Sequence, residues 1–256
     1  MRESTAGKHH GTADRPCLFL LFAEGSRPHA DSVRTALSNG SVGHVSHDPR
    51  GGEDSSQASN WLELLLDGLT FDLLGLAPGK PLAPATARYH FGLTADATGG
   101  SEAIGIAPGP HLRGAANAMP VVRTLLRLAI ALASQWPEVK AAIWAPAGSA
   151  MDRQLFIQSI DIWLGGGPFP ALGLTGIVEG PGGTLGSEGL AFFTGQELVL
   201  DHRLCRDGVA GTRLLVRLID ALVTQPKLVE ETRLVLDNGA EIRLQPDETL
   251  IRVAYG

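Results

Sequence analysis

Residues 186–201 read GSEGLAFFTGQELVLD, and how this stretch divides decides the fold of the second half of the chain. Read as one strand over 189–201, entered from the glycine-rich connection PGGTLGSE at 181–188, it completes a regular series. VKAAIWAPAG (139–148) is a continuous apolar run that predicts a strand. DRQLFIQSIDIWL (152–164) has helical periodicity, with Ser149 and Asp152 spaced as a capping box. ALGLTGIVEG (171–180) reads as a second strand, and GVAGTRLLVRLIDALV (208–223) as a second helix. TRLVLDNGAEIRL (232–244) reads as a hairpin whose Asn238-Gly239 suits a type I′ turn. From Val139 onward the order is therefore β-α-β-β-α-β, the split order of a ferredoxin-like unit.

Working outward from there, residues 16–107 admit the same order, with a weak second helix. CLFLLFAEG (17–25) is apolar enough for a central strand. PHADSVRTALSNG (28–40) puts Ala30, Val33, Ala36 and Leu37 on one helical face and ends at Gly40, a fitting C′ residue. VGHVSHD (42–48) and SEAIGIAPG (101–109) are short strands. DPRGGEDSSQAS (48–59) is loop by composition. WLELLLDGLTFDLLGLAPG (61–79) reads as two strands, or one strand bent, at Asp67-Gly68. MPVVRTLLRLAIALASQW (119–136) is a helix apolar almost all round. The expected fold is thus α+β. It consists of a tail over 1–15, a half over 16–118, a connecting buried helix over 119–138, and a ferredoxin-like half over 139–256, with antiparallel sheets and helices on one face.

Composition narrows function more than it names it. Of 256 residues, 44% are hydrophobic and 19% charged, which is ample for a core. The net charge of −6, with no Lys/Arg-rich run and few aromatics, argues against nucleic acid and anionic membrane as partners. Two cysteines, Cys17 and Cys205, make no disulfide framework and suit a reducing, cytoplasmic setting. The 119–136 run is too short, and too charged in its first half, for a membrane span.

The chemistry-bearing residues are scattered. Glu188 and Glu197 are nine apart. On one regular strand they face opposite sides, about 30 Å apart at ~3.3 Å per residue. Glu188 is then a hairpin-loop acid and Glu197 an exposed or edge-face acid. EGPGGTLGSEG (179–189) lacks both the Gly-Lys-Ser/Thr and the following helix that a phosphate loop needs. His44 and His47 fall on opposite sides of a strand, and His9-His10 lies in the tail, so neither a metal nor a cofactor is expected. Ser149 stands between strand and helix, but Ala147 and Met151 occupy the glycine positions of a nucleophile elbow. Cys205, near His202 and Arg206, is the remaining nucleophile candidate.

VKAAIWAPAG, SEGLAFFTGQELVLD and the closing LVLDNGAEIRLQPDETLIRVAYG (234–256), with Trp61 before LELLLDG, resemble a bacterial family catalogued as domain of unknown function 4261, over most of residues 16–256. The resemblance implies a bacterial α+β protein, with toxin-immunity or secretion systems as a plausible setting. It carries no catalytic residues. The resulting expectation is a non-enzymatic protein-binding or accessory role. Trp144, Glu188, Phe193 and Glu197 are its candidate contact residues, reached through sheet edges or a helix-free sheet face. The alternatives are a small hydrolase or transferase built from Ser149, Glu188, Glu197 and His202, or a sensor with a small ligand between the halves.

Overall fold

A computed structural model describes residues 16–39, 42–49, 60–94 and 97–256. The expected tail over 1–15, the Gly40 cap and most of the 48–59 loop lie outside the described residues.

The fold is mixed α+β, with two sheets of mostly antiparallel strands and several helices. The eight-stranded sheet runs β2-β3-β4-β6-β1-β7-β8-β5. Its strands are β1 (Leu18–Phe22), β2 (His44–His47), β3 (Trp61–Leu66), β4 (Leu69–Leu74), β5 (Tyr89–Phe91), β6 (Glu102–Pro108), β7 (Val139–Trp144) and β8 (Ser149–Asp152). Every pairing is antiparallel except β5 with β8. All five residues of β1 are buried, because the sheet is covered on both faces there. The hairpin between β3 and β4 turns at Asp67-Gly68, both at positive φ (50° and 76°), which is the type I′ geometry the dipeptide favours.

Helices α1 (Ala30–Asn39), α2 (Met119–Gln135) and α3 (Arg153–Leu164) form a packed group, with α2 touching both others. Ala30, Val33, Ala36 and Leu37 are all buried, and ten residues of α2 are buried around most of its circumference. β6 and β7 flank β1, each antiparallel to it, with α2 connecting them. This is a split β-α-β unit.

The six-stranded sheet runs β12-β13-β14-β11-β10-β9. It comprises β9 (Gly176–Glu179), β10 (Leu185–Glu188), β11 (Glu197–Leu200), β12 (Thr232–Val235), β13 (Glu241–Pro246) and β14 (Leu250–Tyr255). β11 and β14 are parallel; the other pairs are antiparallel. α6 (Gly208–Leu222) packs on β10 and β11, while the short α4 (Ala171–Leu174) touches β8, β9 and α6. One continuous set of buried side chains therefore runs through both sheets.

Several expectations are corrected. Residues 139–256 do not form a β-α-β-β-α-β unit, because β7 and β8 belong to the eight-stranded sheet, beside β1. The 189–201 stretch is not one strand: Ala191–Thr194 coil into α5, which Gly195 ends in the left-handed conformation at φ 78°. The 16–107 segment contains no second α-helix among the described residues, and its proline-rich 78–88 run forms no regular helix or strand. Asn238-Gly239 is not a type I′ turn. Only Gly239 has positive φ (79°), and Leu236 N–H donates to the Ala240 carbonyl, which makes a three-residue loop with a glycine bulge. Ser149 is not the N-cap of α3. It lies in β8, and the Asp152 carboxylate accepts from the N–H groups of Gln154 (2.8 Å) and Leu155 (3.0 Å) at the start of α3.

Candidate functional site

The candidate contact residues Trp144, Glu188, Phe193 and Glu197 lie in one region, the seam where β10 and the α5 turn meet β7, β8 and β5. Trp144 ends β7 with its side chain completely buried. Because α5 breaks the strand, Phe192 and Phe193 fold back onto it. The Phe193 ring stacks on the Trp144 ring at 6.1 Å and 20°, and Phe192 meets it edge to face at 5.4 Å and 88°. Phe193 meets Phe169 at 5.3 Å, Phe169 meets Trp163 at 5.5 Å, and the Arg123 guanidinium lies 4.7 Å over the Trp163 ring. Trp144 is therefore an internal aromatic joining the sheets, whereas Phe193 is half-buried beside it. As a surface contact for a partner Trp144 is corrected, since burial leaves it no accessible edge. The Trp144 indole N–H is buried and has no hydrogen-bond partner among the described residues.

Glu188 ends β10, and Glu197 opens β11, an interior strand. Glu197 is bound up locally. It accepts from Ser187 Oγ at 2.5 Å and from the N–H groups of Gly189 (2.8 Å), Leu190 (3.2 Å) and Ala191 (3.0 Å). A carboxylate downstream in sequence thus caps the amides at the entrance of α5 and holds the aromatic turn in place. The reading of Glu197 as an edge-face acid is corrected accordingly. Glu188 reaches the other way. It pairs with Arg88 and accepts from the Tyr89 hydroxyl at 2.6 Å, linking β10 to the segment entering β5. Burial, with help from the Glu188 hydrogen bond and charge, pushes the Tyr89 phenol up to about 12.

No hydrogen bond joins any two of the residues of the hydrolase alternative, and each is bonded elsewhere. Ser149 is fully buried and donates to the Gly173 carbonyl. His202 lies on a turn beside Asp201, Nδ1 to carboxylate 3.4 Å. Cys205 is half-buried; burial, with the Asp201 charge, pushes its thiol up, the opposite of an activated nucleophile. Among the described residues no group of His, Cys, Asp and Glu is arranged to hold a metal, and no helix is long and apolar enough to cross a membrane.

Compared with protein-family models, curated proteins and solved structures, the chain matches none.

Two features went unread in the sequence. Arg27, almost fully buried, holds Glu102 at 2.9 Å and the Gly79 carbonyl at 2.8 Å, and it also bonds the Gly75 carbonyl. The Arg27 hydrogen bond holds the Glu102 carboxyl below its usual range. Arg88 and Tyr89 close the far end of the same extended segment. The available signal was KPLAPATAR (80–88), prolines and alanines without period, which marks a strap laid along a surface.

Proposed function

We propose that this chain acts by holding another protein, an extended segment of which adds to the six-stranded sheet along β12. The carrying observation is the state of that edge. Among the described residues β12 pairs only with β13, and Val229 (79% exposed), Val235 (73%) and Leu234 (37%) lie on it or just before it. An edge strand with apolar neighbours is a template for strand addition. Beside it a groove of about 280 Å³ runs between α6 and the β12–β13 hairpin, lined by Leu204, Leu214, Leu236 and Tyr255 with Arg213 and Arg217 on its rim. Arg217 pairs with Asp237, whereas Arg213 has no ion-pair partner among the described residues. The segment that fits is extended, apolar at alternate positions, and acidic where it passes Arg213.

The case against catalysis rests on what Ser149, Glu188, Glu197 and His202 already bond to. The expected bacterial, cytoplasmic accessory role, drawn from the resemblance to the domain of unknown function 4261 family, belongs to this same proposal.

The test is to capture partners from the native cell extract, purify the stoichiometric one, and titrate it calorimetrically against wild type and a Leu234→Lys/Val235→Lys variant. The reading expects the dissociation constant to rise at least about tenfold, equivalent to ~1.4 kcal/mol, with the β12 amides gaining exchange protection in the wild-type complex. An unchanged affinity, unprotected β12 amides, or no saturable complex overturns it.

A further inference from the structure

The eight-stranded sheet has a second face, turned away from the helices. Phe19, Leu21, Ala103, Ala141, Ile143 and Ala150 form a small buried cluster on it, with the half-buried Leu82, Ala85, Ala87, Leu93 and Ala145 packed against it. The cover is the strap that leaves β4 and enters β5. Its ends are well fixed. At one, the buried Arg27 binds the carbonyls of Gly75 and Gly79, and Leu82 N–H donates to the Ala103 carbonyl at 3.3 Å. At the other, Arg88 N–H donates to the Gly148 carbonyl at 2.7 Å and the Arg88 side chain pairs with Glu188. Between them, from Ala83 to Ala87, the backbone makes no hydrogen bond to any described residue. In that stretch Ala85 and Ala87 pack on the cluster.

Under and beside it lies a groove of about 620 Å³, within the usual range of ~300–1,000 Å³ for small-molecule sites. Phe19, Cys17, Leu82, Pro84, Pro16 and Pro146 are among the residues that line it. Its lining holds no Asp, Glu, Lys, Arg or His, whereas four other concavities of the surface each carry at least one arginine. A charged ligand would lose its hydration here with no compensating partner, while a neutral apolar one loses little. The unpaired strap amides and the Thr86 hydroxyl are available donors for an acceptor atom on such a ligand.

We infer that this groove binds a small, neutral, largely apolar molecule bearing a hydrogen-bond acceptor, and that the strap from Ala83 to Ala87 is its lid. The lid opens from the Arg88 end. Arg88 is 57% exposed at its ion pair, where separation costs little, whereas the Arg27 clamp is only 6% exposed at its pair with Glu102. The site is on the opposite face of the eight-stranded sheet from the helices, so it does not depend on the β12 proposal.

The experiment uses the full chain with Cys205→Ser as background, leaving Cys17 as the single thiol, and Nile red as a neutral apolar probe. Saturable fluorescence with one site is expected, abolished by Ala83→Trp, which fills the groove from an exposed strap position. Nile red should slow alkylation of Cys17 by N-ethylmaleimide about tenfold, and Arg88→Gln should speed that alkylation in the absence of probe. The Cys17 measurement needs no groove variant, so it stands even if Ala83→Trp disturbs folding. Non-saturable fluorescence, binding indifferent to Ala83→Trp, or a Cys17 rate unaffected by the probe overturns the ligand site. A Cys17 rate unaffected by Arg88→Gln overturns the lid.

Discussion

The six-stranded sheet has two edges that meet opposite fates. At one, β9 and β10 are pressed against the eight-stranded sheet. A Cβ placed on Gly176 would fall 2.3 Å from the Tyr89 ring, and one on Gly189 would fall 2.8 Å from the Ala147 Cα, so only glycine permits the approach. At the other, β12 ends the sheet among the described residues, and Val229, Leu234 and Val235 stay exposed there. The chain places Trp144, Phe192, Phe193 and Glu188 on the side of the sheet that meets the eight-stranded sheet, and exposes Val229, Leu234 and Val235 at the β12 side. Residue types that attract attention in a sequence therefore mark the joint, and recruitment is left to a strand with no conspicuous chemistry.

The sharpest way to break this contrast is to remove the joint's central ring. Trp144→Ala deletes a fully buried indole packed on Phe192 and Phe193. A loss of about 3–5 kcal/mol in urea unfolding is expected, the usual cost of deleting a buried aromatic. Because Phe193 stacks on the same ring, Trp144→Ala and Phe193→Ala together should cost less than their sum, by about 1 kcal/mol or more. Strict additivity would mean the rings do not act as one unit, and the seam would lose its special status.

How much of this was readable in advance depends on whether the information is local. β1, α2, α6 and the Asp67-Gly68 hairpin are legible because a strand buried on both faces is a plain apolar run, and a type I′ turn is written in its dipeptide. The α5 turn is not, because AFFT suits a strand by propensity; it coils because Gly195 ends it in a left-handed conformation and Glu197 collects its first amides. The placement of β7 and β8 is likewise invisible. Nothing in VKAAIW says that β1, more than a hundred residues earlier, will be its neighbour, since strand pairing is set by non-local burial. For the same reason the function of Glu197 escaped sequence reasoning: its partners are mostly backbone N–H groups, which every residue but proline supplies.

A second, smaller test sharpens the seam by titration. The Tyr89 phenol ionises near pH 12 in the folded protein against 10.0 as its ordinary value. A folded pKa above the unfolded one contributes stability that is fully present below pH 10 and is lost as pH rises toward about 12, because the unfolded chain ionises first. Stability should therefore decline over that window, and Tyr89→Phe should remove this part of the decline. In absorbance titration at ~295 nm, the difference between wild type and Tyr89→Phe should show a single phenol ionising near pH 12. A difference curve centred near pH 10 would mean that the Glu188 bond does not persist in solution, and that this end of the strap is looser than the seam model requires.

The smallest expected effect is at the open edge, and its smallness is the point. Val235 is 73% exposed and opposes Glu241 across the β12–β13 pair. Val235→Lys removes little buried apolar surface and places an ammonium opposite a carboxylate, a favourable cross-strand pairing. The loss of β propensity and the gain of that pair are each a few tenths of a kcal/mol and of opposite sign, so unfolding stability should stay within about 0.5 kcal/mol of wild type. This near-neutrality lets the lysine variants report on recognition without confounding it with folding. A loss of more than ~1.5 kcal/mol would instead show that Val235 is covered in solution. The open edge would then be as closed as the seam, and the contrast between the two sides of the sheet would fail at its weaker end.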